Sequence, residues 1–118
     1  MMDELVTPFD VEREMVDLNT RIGNAPKIIK QHHNALKEAQ TAYRQAYARA
    51  YSYAEGTQLD RKMTADIETA AERQAADDAE ILYRYVRDEL DALKTKLRAL
   101  QSIGSMLRAE MFNKQGGL

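Results

Sequence analysis

Apolar residues recur every three or four positions through the last third of the chain, the spacing of one face of an α-helix. This stripe predicts a long helix over residues 78–112, and an earlier stripe predicts another over residues 26–55. The stripes consist of Ala79, Leu82, Val86, Leu90, Leu93, Leu97, Leu100, Ile103, Leu107 and Met111, and of Ile29, His32, Leu36, Ala39, Tyr43, Ala46, Ala50 and Tyr53. Two such helices predict an all-α fold built on a long antiparallel, coiled-coil-like hairpin.

A short helix over residues 8–22 is predicted to precede the hairpin. Thr7 is suited to cap it, and Pro8 would occupy the first helical position, where a missing N–H costs little. Its apolar face would consist of Val11, Met15, Leu18 and Ile22. Gly23 is expected to end this helix, and Pro26 to open the next.

Gly56 is expected to stop the second helix, and a connector of marginal helicity is expected over residues 56–77. Its later part, residues 65–77, is rich in alanine and either begins the third helix or forms a separate, loosely packed piece. We expect residues 1–7 to be frayed and residues 113–118 to form a disordered tail. The whole chain is interpreted as one helical domain.

A second apolar stripe runs beside the first on the third helix. One hairpin partner cannot cover both stripes, so the chain is expected to form a homo-oligomer. The predicted subunit interface consists of Ile81, Tyr85, Ala92, Ala99, Leu100, Ile103, Met106 and Leu107. Neither stripe separates β-branched residues from leucine in the way that fixes the number of subunits.

Composition argues against several classes of function. The chain has no cysteine, which excludes disulfides and thiolate sites, and no apolar run approaches the roughly 20 residues that span a bilayer. With Asp3 and Glu4 where a signal peptide would be basic, we expect a cytoplasmic protein that does not bind membranes.

Sequence motifs for catalysis are also missing. His32 and His33 are adjacent and point about 100° apart on a helix, so they cannot share one metal ion. The acidic residues near Asp77 have no histidine at the spacing of a di-metal site. We therefore expect no enzyme, no catalytic residue, no metal and no cofactor.

Charge alternates along the chain although its net value is only −2. Residues 1–24 carry −4, residues 25–55 carry +3, residues 56–91 carry −5 and residues 92–118 carry +4. Basic residues interleaved with tyrosines favour single-stranded nucleic acid, because rings stack on bases while cations hold phosphates. Near the turn the candidates are Arg44, Arg49, Tyr51, Arg61 and Lys62, with Tyr43, Tyr47 and Tyr53 among them; at the opposite end they are Lys27, Lys30, Lys37, Lys94, Lys96, Arg98 and Arg108.

Several segments between residues 42 and 111 resemble small helical proteins that tailed bacteriophages encode among their replication and recombination genes. The segments are AYARAY, AEGT, RK, AAERQAADDAE, LQSIG and RAEM. The layout is also similar to that of the UvsY-type recombination mediators, with a long helix ending in an Arg/Tyr-rich turn and a polar connector containing a basic pair.

This resemblance implies a phage-encoded, oligomeric protein that binds single-stranded DNA and acts in the host cytoplasm. It would help to load a recombinase or annealase past single-strand-binding protein. Basic residues near the end of the first long helix contact DNA in that family, and Arg49 matches best, whereas Tyr47 stands where a lysine would precede it. The resemblance therefore favours a DNA-binding site near the turn. The number of lysines and arginines favours a site at the opposite end of the hairpin.

The alternative is a coiled-coil interaction module, such as an adaptor, an anti-defence protein or a virion or assembly component, that binds no nucleic acid. Its second apolar stripe would be reserved for a protein partner. A metal-dependent enzyme is a third reading, and it would require stoichiometric metal in the purified protein.

Overall fold

The computed structural model describes residues 7–116, and nearly all of this part of the chain is helical. It forms α1 (Pro8–Tyr53), α2 (Gln58–Glu68) and α3 (Ala70–Gly116), with no strand among the described residues. The all-α prediction is confirmed. The fraying expected at residues 1–6 and the disorder expected at residues 117–118 lie outside the described residues.

The start of α1 follows the prediction. Thr7 Oγ1 accepts the Asp10 N–H at 3.1 Å, and the Thr7 N–H donates back to Asp10 Oδ2 at 3.2 Å. This reciprocal pair satisfies donors that the first helical turn leaves free. The Thr7 hydroxyl also donates to Asp10 Oδ2 at 2.9 Å, and this bond, followed by the one from the Thr7 N–H, is the main reason why the pKa of Asp10 lies below its usual value of 3.8.

The predicted break at residues 23–26 is wrong, because α1 continues through Pro26 without interruption. An interior proline has no N–H to donate to the preceding turn and typically costs ~3 kcal/mol. Leu18 and Leu36, which are 1% and 8% exposed, lie on either side of it. Burial of each leucine side chain stabilises the helical conformation by about 1.5–3 kcal/mol, which offsets the free-energy cost of the proline.

The predicted connector is mostly helical. Gly56 adopts a φ of +104° and reverses the chain, and Thr57 then begins α2 in a second capping box with Asp60. Thr69 ends α2 after its eleven residues. Residues 65–68 therefore belong to α2 and residues 70–77 to the start of α3. The alternative of a separate piece holds for residues 65–68, but this piece is not loosely packed, because Ala65 is fully buried.

The chain forms two compact units. The first joins Met1–Pro26 with Asp88–Leu118, of which residues 7–26 and 88–116 are described. Its core contains Val11 and Leu18, which are 2% and 1% exposed. A Cβ atom built on the buried Gly104 of α3 would lie 3.5 Å from Val11 Cγ1, so α1 and α3 approach closely at that point.

The second unit, Lys27–Arg87, has a core of smaller residues. Ala50, Ala65, Thr69 and Ala76 are all buried, together with Leu36. Thr69 Oγ1 donates to the Ala65 carbonyl oxygen at 2.6 Å, so this buried hydroxyl is satisfied. Small side chains let the backbones of the three helices approach one another in this unit.

Most residues of the two predicted apolar stripes are buried or half-buried, with local exceptions. On α3, Leu82 and Ile103 are 51% and 41% exposed, whereas the neighbouring Tyr83 is half-buried and Gly104 is buried. Met111 at the end of the stripe is 48% exposed. On α1, Tyr53 was predicted on the buried seam, but it is 84% exposed because it is the last residue of the helix.

The disordered tail predicted from residue 113 is wrong for residues 113–116, which continue α3. Among the described residues, no helix combines the length and apolar character that a membrane crossing requires.

Candidate nucleic-acid interface

Three tyrosines form a row along the C-terminal part of α1. Tyr43, Tyr47 and Tyr51 are spaced four residues apart and lie on one side of the helix. The ring centroids of Tyr43 and Tyr47 are 6.3 Å apart at 76°, and those of Tyr47 and Tyr51 are 6.4 Å apart at 22°. All three are half-buried, so the tyrosine row presents part of its aromatic surface to solvent over about 12 Å.

Arg61 of α2 covers one end of the tyrosine row. Its Cζ lies 4.7 Å from the centroid of the Tyr51 ring, and its Nε donates to the Tyr51 carbonyl oxygen at 3.3 Å. This carbonyl is in the last turn of α1, which contains no basic residue of its own. Arg61 therefore places a cation at the negative end of α1 and holds α2 against it.

Arg44 lies at the other end of the tyrosine row. With Tyr43 and Tyr47 it lines a shallow hollow of about 340 Å³. Its side chain is exposed, and Nη2 donates to Thr41 Oγ1 at 3.3 Å. The tyrosine row is thus flanked by an accessible guanidinium at one end and a fixed guanidinium at the other.

Tyr47, at the centre of the row, has an acidic neighbour. Desolvation is the main cause that raises the pKa of its hydroxyl above 10.0, and the Asp66 carboxylate and the two adjacent tyrosines add to it. The negative charge of Asp66 opposes phosphate binding at the middle of the row. Phosphate attraction is consequently strongest at the two arginines.

Arg49, the residue favoured by the family resemblance, lies elsewhere. It is two residues from both Tyr47 and Tyr51, which places it about 200° around the helix from them. There it lines a separate groove of about 350 Å³, whose other lining residues are Ala46, Ala50, Tyr53, Glu68, Thr69 and Glu72. This groove has mixed charge, because two carboxylates accompany one guanidinium.

The basic residues predicted to cluster at the other end of the hairpin fall in both compact units. Lys27, Lys30 and Lys37 belong to one unit, whereas Lys94, Lys96, Arg98 and Arg108 belong to the other. Lys96 Nζ lies 2.9 Å from Glu14 Oε1, in the part of α1 that was predicted to be a separate helix. Because α1 already begins at Pro8, its N-terminal residues accompany the later part of α3.

The residues predicted for the subunit interface fall into two classes. Ile81, Tyr85, Ala92, Ala99, Ile103 and Met106 are exposed, whereas Leu100 and Leu107 are half-buried. The two leucines lie on either side of Gly104, on the face of α3 that approaches Val11. These two leucines therefore present less of their surface to a second copy than the first group does.

The histidines are placed as core-edge residues. Both are half-buried, and the His33 ring centroid lies 5.1 Å from that of Tyr83. The Cζ atom of Arg87 lies 5.5 Å from the centroid of the Tyr83 ring. Within residues 7–116 no three His, Cys, Asp or Glu side chains are grouped in a way that could hold a metal ion.

Comparison with known proteins gives no relative. No family model matches the chain, and no match was found among curated proteins or solved structures. The candidate site therefore has to be argued from its own geometry. Sequence reasoning named every residue of the tyrosine row but did not group them, although their four-residue spacing was visible.

Proposed function

We propose that this protein is a non-enzymatic, single-stranded-DNA-binding accessory protein, and that the tyrosine row with Arg44 and Arg61 is its DNA-binding surface. The observation that carries the proposal is this arrangement of three aligned rings flanked by two guanidinium groups. Flat rings stack on any base, and arginines attract the phosphates between them, so binding would tolerate any sequence.

The proposal includes the biological setting that the family resemblance implies. The protein would act in the cytoplasm of a phage-infected cell and assist a recombinase or annealase in the presence of single-strand-binding protein. We further infer that α1 and α3 form an antiparallel hairpin, which the contact of Glu14 with Lys96 and that of His33 with Tyr83 both support. The exposed residues of α3, among them Ile81 and Met106, favour assembly into a homo-oligomer.

The test is binding of a fluorescently labelled oligothymidylate, followed by anisotropy at low and moderate salt. We expect micromolar or tighter affinity at low salt and weaker binding as salt rises, because each neutralised phosphate releases counterions. No binding at low salt with micromolar protein would remove the proposal.

Two arginines of α1 provide a matched pair of variants. Arg44 and Arg49 are both exposed, lie on the same helix and lose the same charge on replacement by alanine. We expect Arg44→Ala to weaken binding and to reduce the slope of log affinity against log salt by about 0.7, the value for one contact with single-stranded DNA. Arg49→Ala should leave both unchanged; the opposite result would move the site to the mixed-charge groove.

Stacking is tested separately. We expect Tyr43→Ala to weaken binding by about 1–3 kcal/mol at all salt concentrations, because one stacked base is lost. Tyr53→Ala is the control, since Tyr53 is exposed but lies outside the tyrosine row.

The alternative is a protein-interaction module without nucleic-acid binding. The acidic residues near the candidate surfaces favour it: Asp66 beside Tyr47, and Glu68 and Glu72 beside Arg49. This alternative predicts that oligothymidylate does not bind at any salt concentration, while mass measurement still shows a stable assembly.

A further inference from the structure

Helix α2 packs with its large apolar residues facing solvent. Its inner face is formed by Arg61, Ala65 and Thr69, and the last two are 0% and 3% exposed. On the opposite face Leu59, Met63 and Ile67 are 66%, 56% and 75% exposed. These three residues, four positions apart, are called here the α2 ridge.

The exposure of the α2 ridge is the reverse of the pattern that a surface amphipathic helix normally shows. A helix on the surface of a single domain buries its large apolar side chains and exposes its small and polar ones. Here the small residues make the intramolecular contacts, and a continuous apolar strip about 12 Å long remains outside. A contiguous exposed apolar strip of this kind marks a surface that another molecule covers.

We propose that the α2 ridge is a contact between two copies of this chain, in which their α2 helices pack antiparallel about a two-fold axis at Met63. The ridge is symmetric around Met63, so a two-fold axis places Leu59 of one copy against Ile67 of the other. Methionine is flexible and polarizable, which suits a position that must meet its own copy.

Charges along one edge of the ridge support this partner over any other. Lys62 and Asp66 lie on the same side of the ridge, one helical turn apart, and both are exposed. With the two-fold axis at Met63, Asp66 of the second copy would lie two residues, about 3 Å, along the axis from Lys62, so the long lysine side chain could reach it and two ion pairs would form. Opposite charges at such edges set partner and orientation.

The other edge of the ridge contains one acidic residue, Asp60. Its carboxylate already accepts the Thr57 N–H at 3.1 Å within the capping box. In the antiparallel arrangement the two Asp60 side chains would be six residues apart along the axis, about 9 Å. They would therefore repel each other only weakly.

The ridge alone is smaller than the 1,200–2,000 Å² that a standard stable interface buries. The contact should therefore be weak in isolation and should strengthen any assembly formed through other surfaces. The contact involves neither the tyrosine row nor its two arginines, and Asp66 is the one residue of the contact that also lies near that row. Its test is therefore made without DNA, and its failure would leave the proposed DNA-binding surface in place. The contact gives Lys62 a role in assembly in place of the predicted role in contacting DNA.

The absence of cysteine allows a direct test by disulfide cross-linking. Met63→Cys would place two thiols at the two-fold axis, whereas Gln58→Cys places an exposed thiol on the same helix but off the ridge. Under mild oxidation without DNA, we expect several-fold more covalent dimer from Met63→Cys than from Gln58→Cys. Equal yields would overturn the proposal, including the case where another protein covers the ridge.

Charge exchange tests the antiparallel register. In the Met63→Cys background, Lys62→Asp or Asp66→Lys alone should reduce the cross-linked fraction several-fold, because each creates two like-charge pairs. The double exchange, Lys62→Asp with Asp66→Lys, should restore it. If the double variant cross-links no better than the single ones, the antiparallel pairing is refuted. Far-UV circular dichroism verifies that each variant is folded.

Discussion

The turn at Gly56 provides the sharpest stability prediction. Its φ of +104° is in the region that side chains rarely adopt, and a Cβ atom there would lie 2.8 Å from Asp60 Oδ2 and 3.0 Å from Asp60 Cβ. Gly56→Ala therefore strains the backbone and displaces the side chain that accepts the Thr57 N–H. Both the turn and the N-terminal cap of α2 are affected by one methyl group.

The expected magnitude follows from these two effects. A side chain in the left-handed region costs about 1–2 kcal/mol, and loss of a capping hydrogen bond typically costs about 1 kcal/mol. The free energy of unfolding should fall by about 2–3 kcal/mol. With an ordinary urea dependence, the midpoint of denaturation should fall by roughly 1–2 M.

The assay is urea unfolding followed by circular dichroism at a fixed protein concentration. Gly23→Ala is the control: Gly23 is exposed inside α1, and a Cβ there meets nothing within 4 Å. It should stabilise the protein by about 0.5–1 kcal/mol, since alanine favours a helix. In an Asp60→Ala background, which has already lost the cap but keeps the Cβ atom at position 60, Gly56→Ala should cost about 1 kcal/mol less. A Gly56→Ala protein as stable as the wild type would refute this account of the turn.

Two further outcomes are expected. Leu18→Ala should lower the free energy of unfolding by about 2–5 kcal/mol in urea titrations because Leu18 is 1% exposed, whereas Val16→Ala, at a site 65% exposed, should change it by less than about 0.5 kcal/mol. The raised pKa of Tyr47 means that the folded state holds this proton more tightly than the unfolded state, so stability should fall as pH rises from 10.0 through the raised value. Tyr47→Phe should reduce that fall, and an unchanged pH profile between pH 9 and 12 would contradict the assignment.

The sequence predicted the apolar faces of α1 well, since Val11, Leu18 and Leu36 are all buried. It failed at Pro26, where the local signal for a helix break was strong. Helix propensity acts only on neighbouring residues, whereas burial of side chains on both sides of the proline acts through contacts distant in sequence. The local sequence around Pro26 therefore could not show that burial would exceed the cost of the proline.

Two positions of the predicted α3 stripe were wrong for a related reason. Leucine and isoleucine at positions 82 and 103 appeared better suited to a core than Tyr83 and Gly104. Gly104 faces Val11, whose Cγ1 a Cβ atom at position 104 would meet at 3.5 Å, and Tyr83 finds a ring partner in His33.

For the candidate site, the four-residue spacing of the tyrosines was available from the sequence, but the position of Arg61 was not. Its contact with Tyr51 depends on how the chain reverses at Gly56. The separation of Arg49 from the tyrosine row was also predictable, because a two-residue step changes the side of a helix. The acids around Arg49 come from α2 and α3, which only the fold brings together.

The reversal between α1 and α2 has a consequence for the order of folding. The contact of Arg61 with Tyr51 closes a loop of ten residues, whereas that of Val11 with Gly104 joins positions more than ninety residues apart. Short loops close with little loss of entropy and can form early, while distant contacts form late. We expect substitutions at Gly56 to slow refolding and substitutions at Val11 mainly to accelerate unfolding. The turn would then be the nucleus from which the two long helices come together.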